Sequence, residues 1–173
     1  SRITTLLSRL QIPVVVVGTL PNGIDVDNVW VDSSAGVATA VEHLKDTGRK
    51  KIGFLNGPIA TNPGKKRVAA FLTAMEANSL KLNSTSVIQA EAFSPEAAYS
   101  AVKEHSKISN FDSIVCANDQ LAAGLMKYCV ENQIDIPADV AIVGIDNTDL
   151  SSLMRPTLTS IDLHAEHRGA IAA

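Results

Sequence analysis

The chain is poor in several features that mark well-known protein classes. It has two cysteines in 173 residues, Cys116 and Cys129, and neither belongs to a C-x-x-C pair. We therefore interpret both as buried, reduced thiols. The longest apolar runs fall well short of the roughly 18 residues that a membrane span needs. Basic residues are not in excess, since the net charge is −3, and no basic tract indicates a nucleic-acid surface within this segment.

Motifs that bind nucleotides or activate a nucleophile are missing as well. The sequence contains no G-x-G-x-x-G after a strand, no G-x-x-x-x-G-K-[ST] and no G-x-S-x-G, which argues against an enzyme. His164 and His167 have no acidic or cysteine cluster beside them, so we expect no metal site and no cofactor. The N-terminal "SRITTLLSRL" resembles a helix end and not a signal peptide, which favours a cytoplasmic chain.

What the sequence does have is a strict alternation of strand and helix patterns. "IPVVVVG" (residues 12–18) is a continuous run of mainly β-branched residues, typical of a strand buried on both faces. The alternation predicts βαβ crossovers, a parallel sheet and helices on both of its faces. The predicted strands are residues 12–18, 29–32, 51–56, 86–90, 112–117, 140–145 and 158–161.

Helix signals lie between these strands. Ser33 can cap a helix that ends at Gly48, and Ser94-Pro95-Glu96 supplies a hydroxyl cap, a proline at the first helical position and an acid in the first turn. A further helix is capped by Asn118 or Asp119. The residues predicted to face inward are Val37, Ala40, Val41 and Leu44, then Val68, Phe71, Leu72 and Met75, then Leu121, Leu125 and Tyr128.

Polar and aromatic residues follow four of the predicted strands. They are Asn56, residues 91–93, Asn118-Asp119 and Asp146-Asn147, and Arg67 near the start of its helix lies at the same edge. Ligands of open parallel sheets bind at the carboxyl ends of the strands. Carboxylate, amide, guanidinium and one aromatic face together suit a polyhydroxylated or heterocyclic small molecule. The residues selected as binding candidates are Arg67, Phe93, Asn118, Asp119 and Asp146.

Each candidate also has a purely structural interpretation. Asp119 can cap a helix, and Asp146 can organise its loop. Arg67 can be an ordinary solvated helix residue, and Phe93 can belong to the core. An enzyme that uses Asp146 with Lys65 or Lys66 is a further alternative, which the absent nucleotide and nucleophile motifs disfavour.

Four stretches of the sequence carry a resemblance to a known family. "HLKDTGRKKIGFLNGP", "CANDQLAAGLM", "IDIPADVAIVGIDN" and "RPTLTSI" resemble the effector-binding core of the LacI/GalR family of bacterial transcription regulators. "GIDNTDLSSLMRPTLTSI" looks most like the catabolite-control branch of that family.

The resemblance implies a periplasmic-binding-protein-like α/β fold of two subdomains joined by crossing strands. We expect residues 1–32 to be the end of an N-terminal subdomain and its crossover. Residues 33–157 are expected to form a nearly complete C-terminal effector-binding subdomain. Residues 158–173 are expected to be a return crossover strand and the start of a helix of the N-terminal subdomain, which is therefore partial.

The resemblance also implies roles for particular residues. Arg67, Asn118 and Asp146 match polar effector contacts of the family, and Phe93 matches an aromatic that stacks on the ligand. Gly18 and Leu163 depart from the family, because sugar-responsive members often have an aspartate and a glutamine there. Glu166 and His167 depart from the pattern of the catabolite-control branch.

The implied partners follow from the family. They are operator DNA, bound through a head domain that this sequence lacks, a small sugar or phosphosugar effector, and the serine-phosphorylated HPr protein as corepressor. A homodimer without enzymatic activity is expected. A sugar-binding protein of a transport system, which shares the fold, is the main alternative.

Overall fold

The computed structural model describes residues 2–7, 12–18, 20, 23–105 and 108–173, so part of the predicted N-terminal helix end lies outside the described residues. The chain divides into two compact units, residues 1–32 with 164–173, and residues 33–163. The helices and strands in chain order are α1 (Arg2–Leu7), β1 (Val15–Val17), β2 (Asp27–Val29), α2 (Ser33–Asp46), β3 (Ile52–Asn56), α3 (Asn62–Ala77), β4 (Val87–Gln89), α4 (Pro95–Glu104), β5 (Ser113–Cys116), α5 (Asp119–Glu131), β6 (Ala141–Ile145), α6 (Asp149–Leu153), β7 (Thr159–Ile161) and α7 (Ala165–Ala172).

The first unit contains a two-stranded parallel sheet of β1 and β2, against which α7 packs. The strand prediction for residues 12–18 is correct in place but wrong in burial, because Val15 and Val17 are 42% and 53% exposed. A run of β-branched residues indicates a strand. Whether one or both faces of that strand are buried depends on the elements that pack beside it, which the run itself does not predict. The second predicted strand is also displaced, from residues 29–32 to β2.

The second unit is a five-stranded, entirely parallel sheet in the order β4-β3-β5-β6-β7. Each crossover carries a helix, and the helices pack in two pairs, α2 with α3 and α4 with α5. Every residue of β3 and of β5 is buried, as expected of central strands covered on both faces. The predicted α/β class with a parallel sheet is therefore confirmed.

Aromatic and aliphatic side chains fix the helices to this sheet. Phe54 of β3 and Phe71 of α3 are both fully buried, and their rings stack with centroids 5.0 Å apart. The predicted inward face of α2 is confirmed at all four positions. The predicted face of α3 is confirmed at Phe71 and Met75 but is wrong at Leu72, which is 41% exposed, and Ala74, which was not predicted, is buried.

One feature near the end of the second unit differs from prediction. A short helix, α6, begins at Asp149, where the sequence showed no helix period after β6. Its five residues are too few for a periodic signal. The predicted strand of residues 158–161 is present as β7, which pairs in parallel with β6, and the division between the two units falls at His164. None of the helices among the described residues has the length and apolar character needed to cross a bilayer.

Replacing Leu125 by alanine tests the packing of α5. Leu125 is fully buried, so Leu125→Ala should lower the free energy of unfolding by roughly 2–5 kcal/mol. Leu72→Ala is the matched control, because the same atoms are removed from an exposed helix position, and it should change stability by about 0.5 kcal/mol or less. Urea denaturation measures both, and equal losses for the two variants would contradict the assignment of the buried faces.

Candidate functional site

The carboxyl edge of the second unit's sheet is where the topology reverses. From β3 the chain moves outward to β4, then returns across β3 to β5 and continues to β6. The crevice of such a sheet opens at this reversal, beyond the carboxyl ends of the strands. Val115 pairs with Val143, so Asn118 and Asp146, each three residues further on, leave their strands at the same level.

Arg67, Asp146 and Phe93 come together at this edge. The Nη2 atom of Arg67 lies 3.8 Å from Oδ1 of Asp146. The guanidinium carbon of Arg67 lies 5.9 Å from the centroid of the Phe93 ring, within the range of a cation–π contact. These three residues are adjacent in space although they come from α3, the segment after β4 and the segment after β6.

The guanidinium of Arg67 is largely removed from water. Its side chain is 11% exposed, whereas that of Asp146 is 37% exposed. Burial lowers the pKa of Arg67, and the nearby Asp146 carboxylate opposes that shift. The Nε atom of Arg67 is buried without a hydrogen-bond partner. A buried donor without an acceptor is costly, so this side chain is suited to bind an acceptor atom of a ligand.

Phe93 forms an aromatic wall beside this charge. A Cβ atom added at Gly57 would lie 2.4 Å from the ring, which shows that the ring packs directly on the Gly57 backbone. Phe93 is half-buried, so it packs against the end of β3 and still presents part of its surface at the edge. Phe93 is therefore packed against the sheet in part, and its exposed surface stays a candidate wall for a ligand.

Asp146 has an unusual backbone conformation. Its φ is 109° and that of Asn147 is 50°, values that residues with a side chain adopt rarely. The Asp146 N–H donates to the carbonyl of Ile161 at 2.9 Å, which joins the loop to β7. Strained backbone of this kind is concentrated at functional sites, and here it directs a carboxylate toward Arg67.

Asn118 and Asp119 have different places in the structure. Asn118 is the N-cap of α5, and its Oδ1 accepts from the N–H of Leu121 at 2.9 Å. The cap uses its oxygen, which leaves the amide NH₂ group as the part that can donate to a ligand. Asp119 is 1% exposed and its carboxylate is hydrogen-bonded to Thr148 and Ser160. As a correction, Asp119 is neither the cap nor a side chain that a ligand reaches in this conformation.

Some residues of this edge were not among the candidates selected from the sequence. Asn56 was noted only as a strand end; it is fully buried, its amide donates to the carbonyl of Gly64, and its Oδ1 has no hydrogen-bond partner. Ser160 and Thr148 were not singled out at all. Their contact with Asp119 joins residues 41 and 29 positions apart, and no local pattern encodes such a contact.

The two positions that depart from the family have structural explanations. Gly18 has φ +133°, and its N–H donates to the carbonyl of Val29 within the first unit. Leu163 is 6% exposed, and a Cβ added at Gly36 would lie 3.4 Å from it. Leu163 is therefore a core residue of the second unit.

A cavity of about 800 Å³ lies at the opposite edge of the sheet. Basic side chains at its margin include Lys45, Arg49, Lys50, Lys51 and Lys81. Lys45 lies in the last turn of α2 and donates to Oδ1 of Asn78, and Arg49 donates to the carbonyls of Asp112 and Pro137. These contacts give Lys45 and Arg49 structural roles, so the carboxyl edge, where the buried Nε of Arg67 has no hydrogen-bond partner, is the better candidate site.

Neither cysteine is suited to nucleophilic chemistry. Burial raises the pKa of Cys129 to about 11 and that of Cys116 well above its usual range. Among the described residues, no group of three or more histidine, cysteine, aspartate and glutamate side chains is placed to hold a metal ion. The groups that Arg67, Asp146 and Phe93 present at the carboxyl edge supply hydrogen bonding, charge pairing and stacking.

Comparisons with known proteins agree with this fold. Residues 41–173 match the model of a family described as periplasmic binding protein-like domain. The HTH-type transcriptional repressor PurR of Salmonella arizonae is 30% identical over 173 residues, which covers 96% of this chain and 50% of that protein. The chain spans about half the length of the curated relatives it matches.

Solved structures of regulators have the same fold. The transcription regulator CcpA of Lactococcus lactis is similar with a TM-score of 0.84 and 25% identity, covering 99% of this chain and 62% of that one. A regulatory protein of the LacI family from Chloroflexus aggregans gives a TM-score of 0.85 and 26% identity, covering 99% and 61%.

The backbone strain at Asp146 can be measured with two variants that both remove the carboxylate. Glycine normally destabilises a folded chain relative to alanine by about 0.4–1 kcal/mol, through the entropy of the unfolded state. At a φ of 109° glycine avoids a steric cost that alanine must accept. We expect Asp146→Gly to be at least as stable as Asp146→Ala in urea denaturation. A clear advantage for alanine would mean that the backbone of residue 146 is relaxed.

The raised thiol pKa values predict resistance to alkylation. With a pKa of about 11, Cys129 has on the order of one thiolate in 10³ molecules at pH 8, and only the thiolate reacts. Iodoacetamide should therefore modify neither cysteine of the folded chain within minutes at pH 8, and the rate should rise with pH. Mass spectrometry after denaturation should show two modified thiols, and rapid labelling of the folded chain would contradict the described burial.

Proposed function

Because the chain belongs to the family of periplasmic binding protein-like domains, we propose that it is the effector-binding and dimerisation core of a bacterial transcriptional regulator. The predicted relationship to the LacI/GalR regulators is confirmed by a PurR repressor and by structures of LacI-type regulators. These relatives favour a regulator over the sugar-binding protein of a transport system. The observation that carries the proposal is the cluster of Arg67, Phe93 and Asp146 at the carboxyl edge.

The cluster fits a small polar molecule with at least one flat or apolar face. The guanidinium of Arg67 donates hydrogen bonds and the carboxylate of Asp146 accepts them, so hydroxyl groups or the edge of a heterocycle can bind both. Phe93 supplies a stacking surface, and Asn118 supplies an amide donor. A sugar, a phosphosugar or a heterocyclic metabolite meets these requirements.

The partners of the whole regulator follow from this assignment. We propose operator DNA, bound through a separate head domain, and a homodimer as the functional state. The similarity to CcpA of Lactococcus lactis supports catabolite control and makes serine-phosphorylated HPr the leading protein partner. The site would then act by shifting a two-state equilibrium, because a ligand favours the state that it binds more tightly. The protein would work in the cytoplasm, where operator DNA is found, and without enzymatic activity.

Calorimetry on the product of the complete gene tests the proposal. It should bind either serine-phosphorylated HPr, with unphosphorylated HPr as control, or a member of a panel of monosaccharides, sugar phosphates and nucleobases. The same product should bind operator DNA in a way that the bound molecule alters. Failure to bind DNA with and without every one of these compounds would contradict the proposed function.

Substitution of Asp146 tests the site itself. Asp146→Ala and Asp146→Gly should both weaken small-molecule binding by at least about tenfold, because a charge-assisted hydrogen bond is lost. Both variants remove the charge partner of the buried Arg67 and should lower the melting temperature, so binding is measured well below the melting transition of each variant. Asp46→Ala, which removes an exposed aspartate at the end of α2, is the matched control. Equal affinities for all of these variants would exclude Asp146 from the site.

A further inference from the structure

The carboxylate of Asp119 is buried and fully engaged with one loop and one strand. Its Oδ2 atom accepts from the N–H of Thr148 at 2.7 Å and from the hydroxyl of Thr148 at 2.8 Å. Its Oδ1 atom accepts from the hydroxyl of Ser160, on β7, at 2.6 Å. A buried carboxylate is stable only when hydrogen bonds replace its lost hydration, and three short ones do so here.

The same network extends to the residue beside Asp146. The hydroxyl of Ser160 donates to Asp119 and accepts from the N–H of Asn147 at 3.0 Å. A chain of hydrogen bonds therefore runs from the Asn147 backbone through Ser160 to Asp119. Both residues that follow Asp146 are held in this way, Asn147 through Ser160 and Thr148 directly.

The network is not needed for helix capping. Asn118 already caps α5. Thr148 occupies the N-cap position of α6, yet its side chain makes no capping hydrogen bond there and its hydroxyl donates to Asp119. A threonine at an N-cap normally accepts a hydrogen bond from an N–H of its own helix. Here the Thr148 hydroxyl instead donates to Asp119, so it stabilises the loop after β6 and not the first turn of α6.

The space for this carboxylate is provided by β6. A Cβ added at Gly144 would lie 2.4 Å from Oδ1 of Asp119 and 2.7 Å from a methyl carbon of Leu158. Only glycine at this position allows the carboxylate to lie against the strand. The buried position of Asp119 therefore depends on glycine at position 144.

We propose that Asp119 is a positioning residue, which acts through Ser160 and Thr148 to hold the loop of residues 146–148 so that Asp146 faces Arg67. The proposal rests on the proposed function and assigns to Asp119 a task other than ligand contact. A loop with two consecutive residues at positive φ has a conformation that its own sequence does not favour. Because the loop is already held in this conformation, less conformational entropy is lost when a ligand binds.

Hydrogen exchange on single-hydroxyl variants tests the positioning role. Ser160→Ala removes the link to Asn147, and we expect amide exchange at Asn147 to accelerate by about tenfold or more. The amides of β6 should accelerate much less than that of Asn147, and the unfolding midpoint in urea should fall only as far as the loss of one hydrogen bond to a buried carboxylate requires. Ser160→Thr retains the hydroxyl and should restore slow exchange at Asn147. Thr148→Val removes the hydroxyl bond to Asp119 and should accelerate exchange of the amide of residue 148. Its effect on the amide of Asn147 should be smaller than that of Ser160→Ala.

Ser152→Ala is the matched control, because Ser152 is an exposed serine of α6 whose hydroxyl donates only to the nearby carbonyl of Asp149 among the described contacts. It should leave exchange at Asn147 unchanged. Fast exchange at Asn147 in the unaltered chain, unchanged exchange in Ser160→Ala, or an equal acceleration throughout the sheet would each overturn the positioning role.

Binding measurements separate this proposal from the proposed function. For any compound of the panel that the unaltered protein binds, Ser160→Ala should weaken binding by about fivefold to tenfold, with Ser160→Thr near normal and Ser152→Ala unchanged. If the unaltered protein binds none of them and no DNA, the proposed function fails, while the exchange rates in Ser160→Ala and Thr148→Val still decide whether the loop is held by the network of Ser160, Thr148 and Asp119. If it binds a compound with equal affinity in Ser160→Ala, the positioning role fails and the proposed function stands.

Discussion

The parallel pairing of β3, β5 and β6 is the constraint on which the candidate site depends. Each strand leaves the sheet at the same edge, and the register brings Asn118 and Asp146 to the same level. Segments far apart in the sequence can therefore contribute to one crevice. An antiparallel strand in this place would direct its terminal residue to the opposite edge of the sheet.

At this edge of the sheet, the buried guanidinium of Arg67 lies at the centre of the candidate site. Arg67 is separated from water by its surroundings, and Asp146 with Phe93 provides only part of the stabilisation that hydration would give. A charge at 3.8 Å from its partner, beside an unpaired Nε, is neither an ordinary surface ion pair nor a fully compensated buried one. Such incomplete pairing is what a site for a polar ligand requires.

The fold could be derived from the sequence to the extent that its signals are local. The inward face of α2 and the Ser94-Pro95 helix start follow from periodicity and capping. The exposure of Val15 and Leu72 could not be derived, because it depends on which elements pack beside them. Phe93 and Asp146 could be selected as candidates because strand ends are visible in sequence, and Arg67 because it lies near the start of a helix at the same edge. Asp119 was misassigned as a ligand contact because its partners, Thr148 and Ser160, come from distant segments.

The contact between Phe93 and Gly57 has a consequence for how such a pocket can change over evolutionary time. The ring is supported by bare backbone, so its position is set by a residue that itself has no side chain. Any larger residue at position 57 would push the aromatic wall away from β3 and reshape the crevice without altering a residue that contacts the ligand. In the proposed effector site, one substitution at position 57 would therefore change the shape offered to a small molecule while leaving every proposed contact residue in place.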